Sequence, residues 1–199
     1  MGDWWLRCVL VLSSPRAVFV ALRDEGDAAD RSEPVLLIVL LAGIAFVLST
    51  STAAHLMDPE GGNYDATLVA VWVFLAGSLY GGIAYWLLGG VLQGVSVALG
   101  SQGSYRRSRH VLAFSSVPVG LSLLLWLLEL ALWGSALFHQ GGADAGAGGK
   151  VFDALSVGFL AWSVCLLVIG VRSVHGWTWG RAVAASVAPV ALAAIVLVV

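Results

Sequence analysis

The run Val111–Leu137 holds a single ionisable side chain, Glu129, among leucines, valines and alanines. A carboxyl group in such surroundings needs a proton, a cation or a hydrogen-bonding partner. Ser122 and Ser115 precede it at intervals of seven residues and Pro118 lies eleven before it, so on one helix all four project along one stripe. That pattern suits a proton or cation site, or a neutral acid hydrogen-bonded to a neighbouring helix. The second concentration of chemistry is YRRSRH, residues 105–110, where Tyr105, Arg106, Arg107 and Arg109 stand together. Arg16 and Arg23, seven residues apart on a candidate helix face, extend the same basic character to the N-terminal segment. Guanidinium groups in this density suit anionic lipid head groups, each contributing about 1 kcal/mol near a charged surface, or a cytosolic protein partner.

Patterns for catalysis are missing. His55, His110, His139 and His175 are dispersed without the spacing of metal ligands, and no G-x-S-x-G or G-x-x-x-x-G-K-[ST] occurs. No catalytic residue, cofactor or metal is expected, and the chain does not read as an enzyme. Cys8 and Cys165 are too few for a disulfide framework and read as free thiols. Nucleic-acid binding lacks a folded basic soluble domain to carry it.

The elements that must position these residues follow from composition. Hydrophobic residues make up 59% of the chain and charged ones 11%, against about 45–50% and about 25% in soluble domains. A hydrocarbon core about 30 Å thick needs about 20 apolar residues in helix. Five runs answer to this, approximately 34–54, 67–88, 111–137, 151–171 and 182–199, and none alternates as a barrel strand does. The expected fold is all-α: a polytopic membrane protein with five transmembrane helices over residues 34–199, preceded by an N-terminal amphipathic interfacial helix within residues 1–33. Basic residues are retained on the cytoplasmic side. Arg7, Arg16, Arg23, Arg31, Arg106, Arg107, Arg109, Arg172 and Arg181 fall on one side of the five runs and Lys150 on the other. The N-terminus is therefore expected in the cytoplasm, the C-terminus outside, and the protein in the cell membrane. The N-terminal segment lacks the pattern of a cleaved signal peptide. Arginine in place of lysine, with abundant Ala, Gly and Val, hints at a GC-rich prokaryotic genome.

Several local features refine this plan. Ser14 can cap a helix, Pro15 suits its first turn and Gly26 can end it; Phe19 and Leu22 would then face acyl chains, or the helix would pack on the protein. The second apolar region runs on from Leu88 to Leu99, too long for one upright span, and Gly89-Gly90 is the natural break. Gly77 and Gly81 form a small-xxx-small pair for helix packing, internally or as the face of a homo-oligomer. Pro118 and Pro189 predict kinks, with Ser115 and Ser186 placed to satisfy freed carbonyls. Trp4, Trp5, Trp177 and Trp179 suit an inner aromatic belt and Trp133 an outer one.

The stretches GSYRRSRHVLAFSSVPVGLSLLLW and LSSPRAVFVALRDEG resemble prokaryotic members of the Yip domain family, the Ypt/Rab-interacting proteins, from about Pro15 onward. The resemblance implies five spans with a cytosolic N-terminus and no catalytic residue. Eukaryotic members are implied in vesicle traffic through small GTPases; their acidic cytosolic region with its D-L-Y-G-P motif has no counterpart in residues 1–33, so a Rab partner is not carried over. The expected role is non-enzymatic: organising membrane, or recruiting a membrane or cytosolic protein, through the basic cytoplasmic collar. The alternative is a small transporter or channel for ions or small solutes that uses Glu129.

Overall fold

The computed structural model describes residues 3–24, 35–48, 66–134 and 146–198. Within them the chain forms α1 (Asp3–Ser13), α2 (Pro15–Asp24), α3 (Val35–Leu48), α4 (Ala66–Ala98), α5 (Tyr105–Ser115), α6 (Val117–Trp133), α7 (Ala147–His175) and α8 (Trp179–Val198), with no strand among the described residues. Three segments, Ala70–Ala98, Tyr105–Trp133 and Ala147–His175, each 29 residues, are long and apolar enough to cross a membrane, and α3 and α8 are shorter apolar helices. Large apolar side chains such as Leu79, Leu132 and Val157 are about two-thirds exposed. In water so much apolar surface would drive association; in lipid it is the ordinary outer face of a span. The protein is an all-α membrane protein. Arg31, the acidic turn around Pro59 and most of the glycine-rich connection before Lys150 lie outside the described residues.

Lipid tails are as apolar as leucine, so helices in a bilayer are held together by close packing rather than by hydrophobic exclusion. Helices α3 and α4 meet accordingly through glycine. Gly77 lies against the backbone of Ile44, and Gly81 against the Val39 carbonyl and Gly43; a Cβ on any of these three glycines would overlap backbone atoms of the facing helix. The stacked rings of Phe46 and Tyr80, 5.0 Å between centroids, continue the same seam.

Three expectations are corrected here. Helix α4 does not break at Gly89-Gly90; it runs 33 residues without interruption. A glycine inside a helix costs about 1 kcal/mol relative to alanine, and the half beyond Gly90 is secured by Leu92 and Ser96, both almost fully buried in the bundle. Phe19 and Leu22 do not face acyl chains. Phe19 is fully enclosed and Leu22 nearly so, with the Phe19 ring and Val111 closing over Gly170 of α7 at distances that leave no room for a Cβ there. The two-helix N-terminal segment is thus part of the core, and its outward apolar residues are instead Leu6, Val9 and Leu10 of α1. The helix around Pro118 is interrupted at Ser116, and α8 continues through Pro189. The nearby serines do not reach the carbonyls those prolines free. Ser115 Oγ donates to Val111 O at 2.6 Å and Ser186 Oγ to Ala182 O at 2.9 Å, each to the carbonyl four residues before itself rather than four before the proline.

Candidate functional site

The end of the bundle where α4 and α7 finish and α5 and α8 begin collects most of the polar chemistry. Gly100, at φ +84°, turns the chain out of α4, and Gln93 then holds the connection from both ends of its amide. Gln93 Nε2 donates to Gly103 O at 2.6 Å, and its Oε1 accepts from Ser108 Oγ at 2.7 Å. Ser104 caps α5 by accepting from the Arg107 backbone N–H at 3.3 Å. The connection also abuts the other helix pair. Gly103 packs beside the His175 ring and Gly100 beside the Arg181 guanidinium. His175 donates through Nδ1 to Val171 O at 2.9 Å and stacks on Trp177 at 4.4 Å, and Arg181 lies over the opposite ring system of the same connection, 4.4 Å from the Trp177 centroid. Gly176, at φ +64°, ends α7 in the left-handed conformation that glycine adopts without strain.

Of the basic residues singled out in the sequence, Arg109 and Tyr105 are brought together, in a cage. The Arg109 guanidinium lies 3.8 Å from the Trp86 ring centroid, 4.7 Å from that of Tyr105 and 5.3 Å from that of Tyr85. Tyr105 OH donates to the Trp86 carbonyl at 2.6 Å, fixing the start of α5 to the side of α4. Gly89 makes room for the Arg109 stem, which explains its place in a helix it does not break. Arg106 is exposed and Arg107 half-buried on the same first turn of α5, while Arg23 lies exposed near the end of α2. Arg16, in the first turn of α2, shares a cleft with Arg172 near the end of α7.

The stripe of polar residues in the third apolar run is divided by the interruption at Ser116. Ser115 is buried at the end of α5, Ser122 bonds back to Val119 O at 2.7 Å in α6, and Glu129 is half-buried a turn before the end of α6. A cavity of about 180 Å³ lies at the centre of the bundle between α3, α4, α5, α7 and α8. Its lining is apolar except for the hydroxyl-bearing Tyr80, Tyr85, Ser115, Ser116 and Ser163, and Glu129 is not among the lining residues. Cys8 and Cys165 are both free thiols. Burial pushes the Cys8 thiol up to about 11, so it is protonated at neutral pH and a poor nucleophile. Among the described residues, no group of His, Cys, Asp and Glu is arranged to hold a metal ion.

A model of the Yip1 domain matches residues 9–199, and so spans the N-terminal hairpin as well as the bundle. The chain belongs to the Yip1 domain family. Comparisons with curated proteins and with solved structures find no match. The matched region takes in the second half of α1 and all of α2, in agreement with the place of Val11, Phe19 and Leu22 in the core. The basic end also contains residues that sequence reasoning passed over. Gln93, Tyr85 and Trp86 belong to no motif of the sequence. Arg172 counted only as a topological charge. The alternation of basic and aromatic residues in RSVHGWTWGR, residues 172–181, was the available signal for a second aromatic and guanidinium cluster in the Yip1 domain.

Proposed function

We propose that this Yip1 domain protein is a non-enzymatic component of the cell membrane that crosses it five times with its N-terminus in the cytoplasm, and that its basic end gathers anionic lipid and a protein partner at the inner face. One observation carries the reading. Arg16, Arg107, Arg109, Arg172 and Arg181 collect at the end formed by the α4–α5 and α7–α8 connections, while Lys150 stands in the first turn of α7, at the opposite end. Cations on one side of a spanning bundle are retained in the cytoplasm, where the leaflet is anionic. Within that end the arginines divide by task. Arg109 is held in its aromatic cage, and the exposed Arg106 and half-buried Arg107, on the first turn of α5, are assigned the recruiting role.

The test is crosslinking in native membranes followed by mass spectrometry, comparing the unaltered protein with Arg106→Gln/Arg107→Gln. Loss of crosslinked partners is expected; an unchanged set rejects the recruiting role. The alternative is a carrier centred on Glu129; the cavity lined by apolar side chains and hydroxyls does not include that carboxyl, which favours the recruiting reading. Proton or solute flux in liposomes that disappears in Glu129→Gln would establish the carrier.

A further inference from the structure

A cleft of about 800 Å³ opens where the α1–α2 turn meets the junction of α7 and α8, lined among others by Ser14, Arg16, Val20, Arg172, Ser173 and Trp179. Two guanidinium groups line it and no Asp or Glu does. The Arg172 guanidinium is held over the Trp179 ring, 4.4 Å from its centroid, and its Nε is buried without a hydrogen-bond partner. Helix α2 starts at the cleft with Pro15, so the positive end of its dipole adds to the same field. The shape and charge therefore fit an oxyanion with several acceptor oxygens, which guanidinium forks bind in a bidentate manner.

The surroundings of the cleft decide where that oxyanion comes from. Trp179, Val183 and Val187 follow one another at four-residue intervals along α8, and all three are about half exposed, forming an apolar track that leads away from the cleft. On its other side α1 exposes Leu6, Val9 and Leu10 within two turns of Ser14. A soluble phosphate would have no use for either surface, whereas acyl chains would cover both. We infer that the cleft between Arg16 and Arg172 is a binding site for the phosphate of one membrane glycerophospholipid, whose tails lie along the outer faces of α8 and α1. The inference rests on the proposed placement of the basic end at the inner leaflet and specifies what that end holds.

The experiment uses the full-length protein, purified in detergent and delipidated, with binding read by native mass spectrometry and Trp fluorescence in mixed micelles. Four probes separate the sources: phosphatidylglycerol, phosphatidylcholine, diacylglycerol and inorganic phosphate. Both phospholipids are expected to bind, phosphatidylglycerol more tightly, with diacylglycerol and inorganic phosphate each weaker by about tenfold or more because one lacks the group that meets the charged donors and the other lacks the tails. Arg16→Gln and Arg172→Gln are each expected to weaken phosphatidylglycerol binding by about tenfold, and Arg106→Gln by less than about twofold, since only the first two line the cleft. Arg172→Lys keeps the charge and serves as the folding control, with an intermediate loss expected. The probe comparison on unaltered protein needs no substitution at all and stands if the variants fail to fold. Diacylglycerol binding as tightly as phosphatidylglycerol overturns the site, as do both Gln variants retaining full affinity. Inorganic phosphate binding as tightly as the lipid overturns the lipid as its source. Crosslinks that depend on Arg106 and Arg107 but survive Arg16→Gln/Arg172→Gln would leave the broader reading intact while the cleft assignment is judged on the lipid titration alone.

Discussion

At Arg109 charge and shape act together. Its guanidinium is the centre of three rings contributed by α4 and α5, and a planar, weakly hydrated cation stacks on such faces better than the compact ammonium of lysine. Arg109→Lys is therefore expected to lower stability nearly as much as Arg109→Ala, by about 1–2 kcal/mol, the range for a partly desolvated cation over aromatic rings. Thermal or denaturant unfolding in detergent measures it, and full stability in Arg109→Lys would mean that charge alone is what the cage requires. The sequence announced that arginines cluster at residues 106–109, but not which of them turns inward. That choice depends on Gly89 and Trp86, about twenty positions earlier, coming alongside α5. Arg172 was obscure for the same reason, since its neighbour across the cleft, Arg16, lies in a helix that reads as an independent surface segment.

Among the elements, the pair α3 and α4 shows how far local pattern reaches. Gly77 and Gly81 marked a close approach in the sequence, and their four-residue spacing does place both on the face toward α3. The receiving glycine, Gly43, sits alone among larger apolar residues and carries no such spacing, so the partner helix could not be named in advance. Gly81→Leu would drive four heavy side-chain atoms into the Val39 carbonyl and Gly43. A loss of about 1–3 kcal/mol is expected, the usual range for overpacking, accompanied by separation of α3 from α4. A pair of spin labels on the two helices reports that separation, and an unchanged distance distribution would show that the seam is looser than its geometry. The sequence pointed to a break in α4, but a Gly-Gly pair weakens a helix without ending it when the turns beyond the pair are anchored, as Leu92 and Ser96 anchor them here. The interruption at Ser116 is the converse, two residues before a proline whose ring clashes with the preceding turn.

For the whole molecule, composition made membrane insertion legible, and the absence of strand-like alternation made the helical class legible, since helices and closed barrels alone satisfy a backbone in lipid. Sidedness is the property that the proposed role depends on most. Cysteines introduced at Gln102 and Ala145, in the α4–α5 connection and just before α7, are expected to react with a membrane-impermeant maleimide from opposite faces of sealed vesicles, Gln102→Cys from the cytoplasmic one. Reaction of both from one face would reverse the topology and remove the inner-leaflet argument with it. The N-terminal hairpin is what amphipathicity could not resolve: the same pattern serves a helix lying on lipid and a helix packed on protein, and only the presence of a matching socket distinguishes them. That socket has a consequence for biogenesis. Phe19 is made early, yet it is seated between Val111 of α5 and Gly170 of α7, which emerge from the ribosome about ninety and about one hundred and fifty residues later. Helix α2 can therefore take its seat only after α7 has been synthesised.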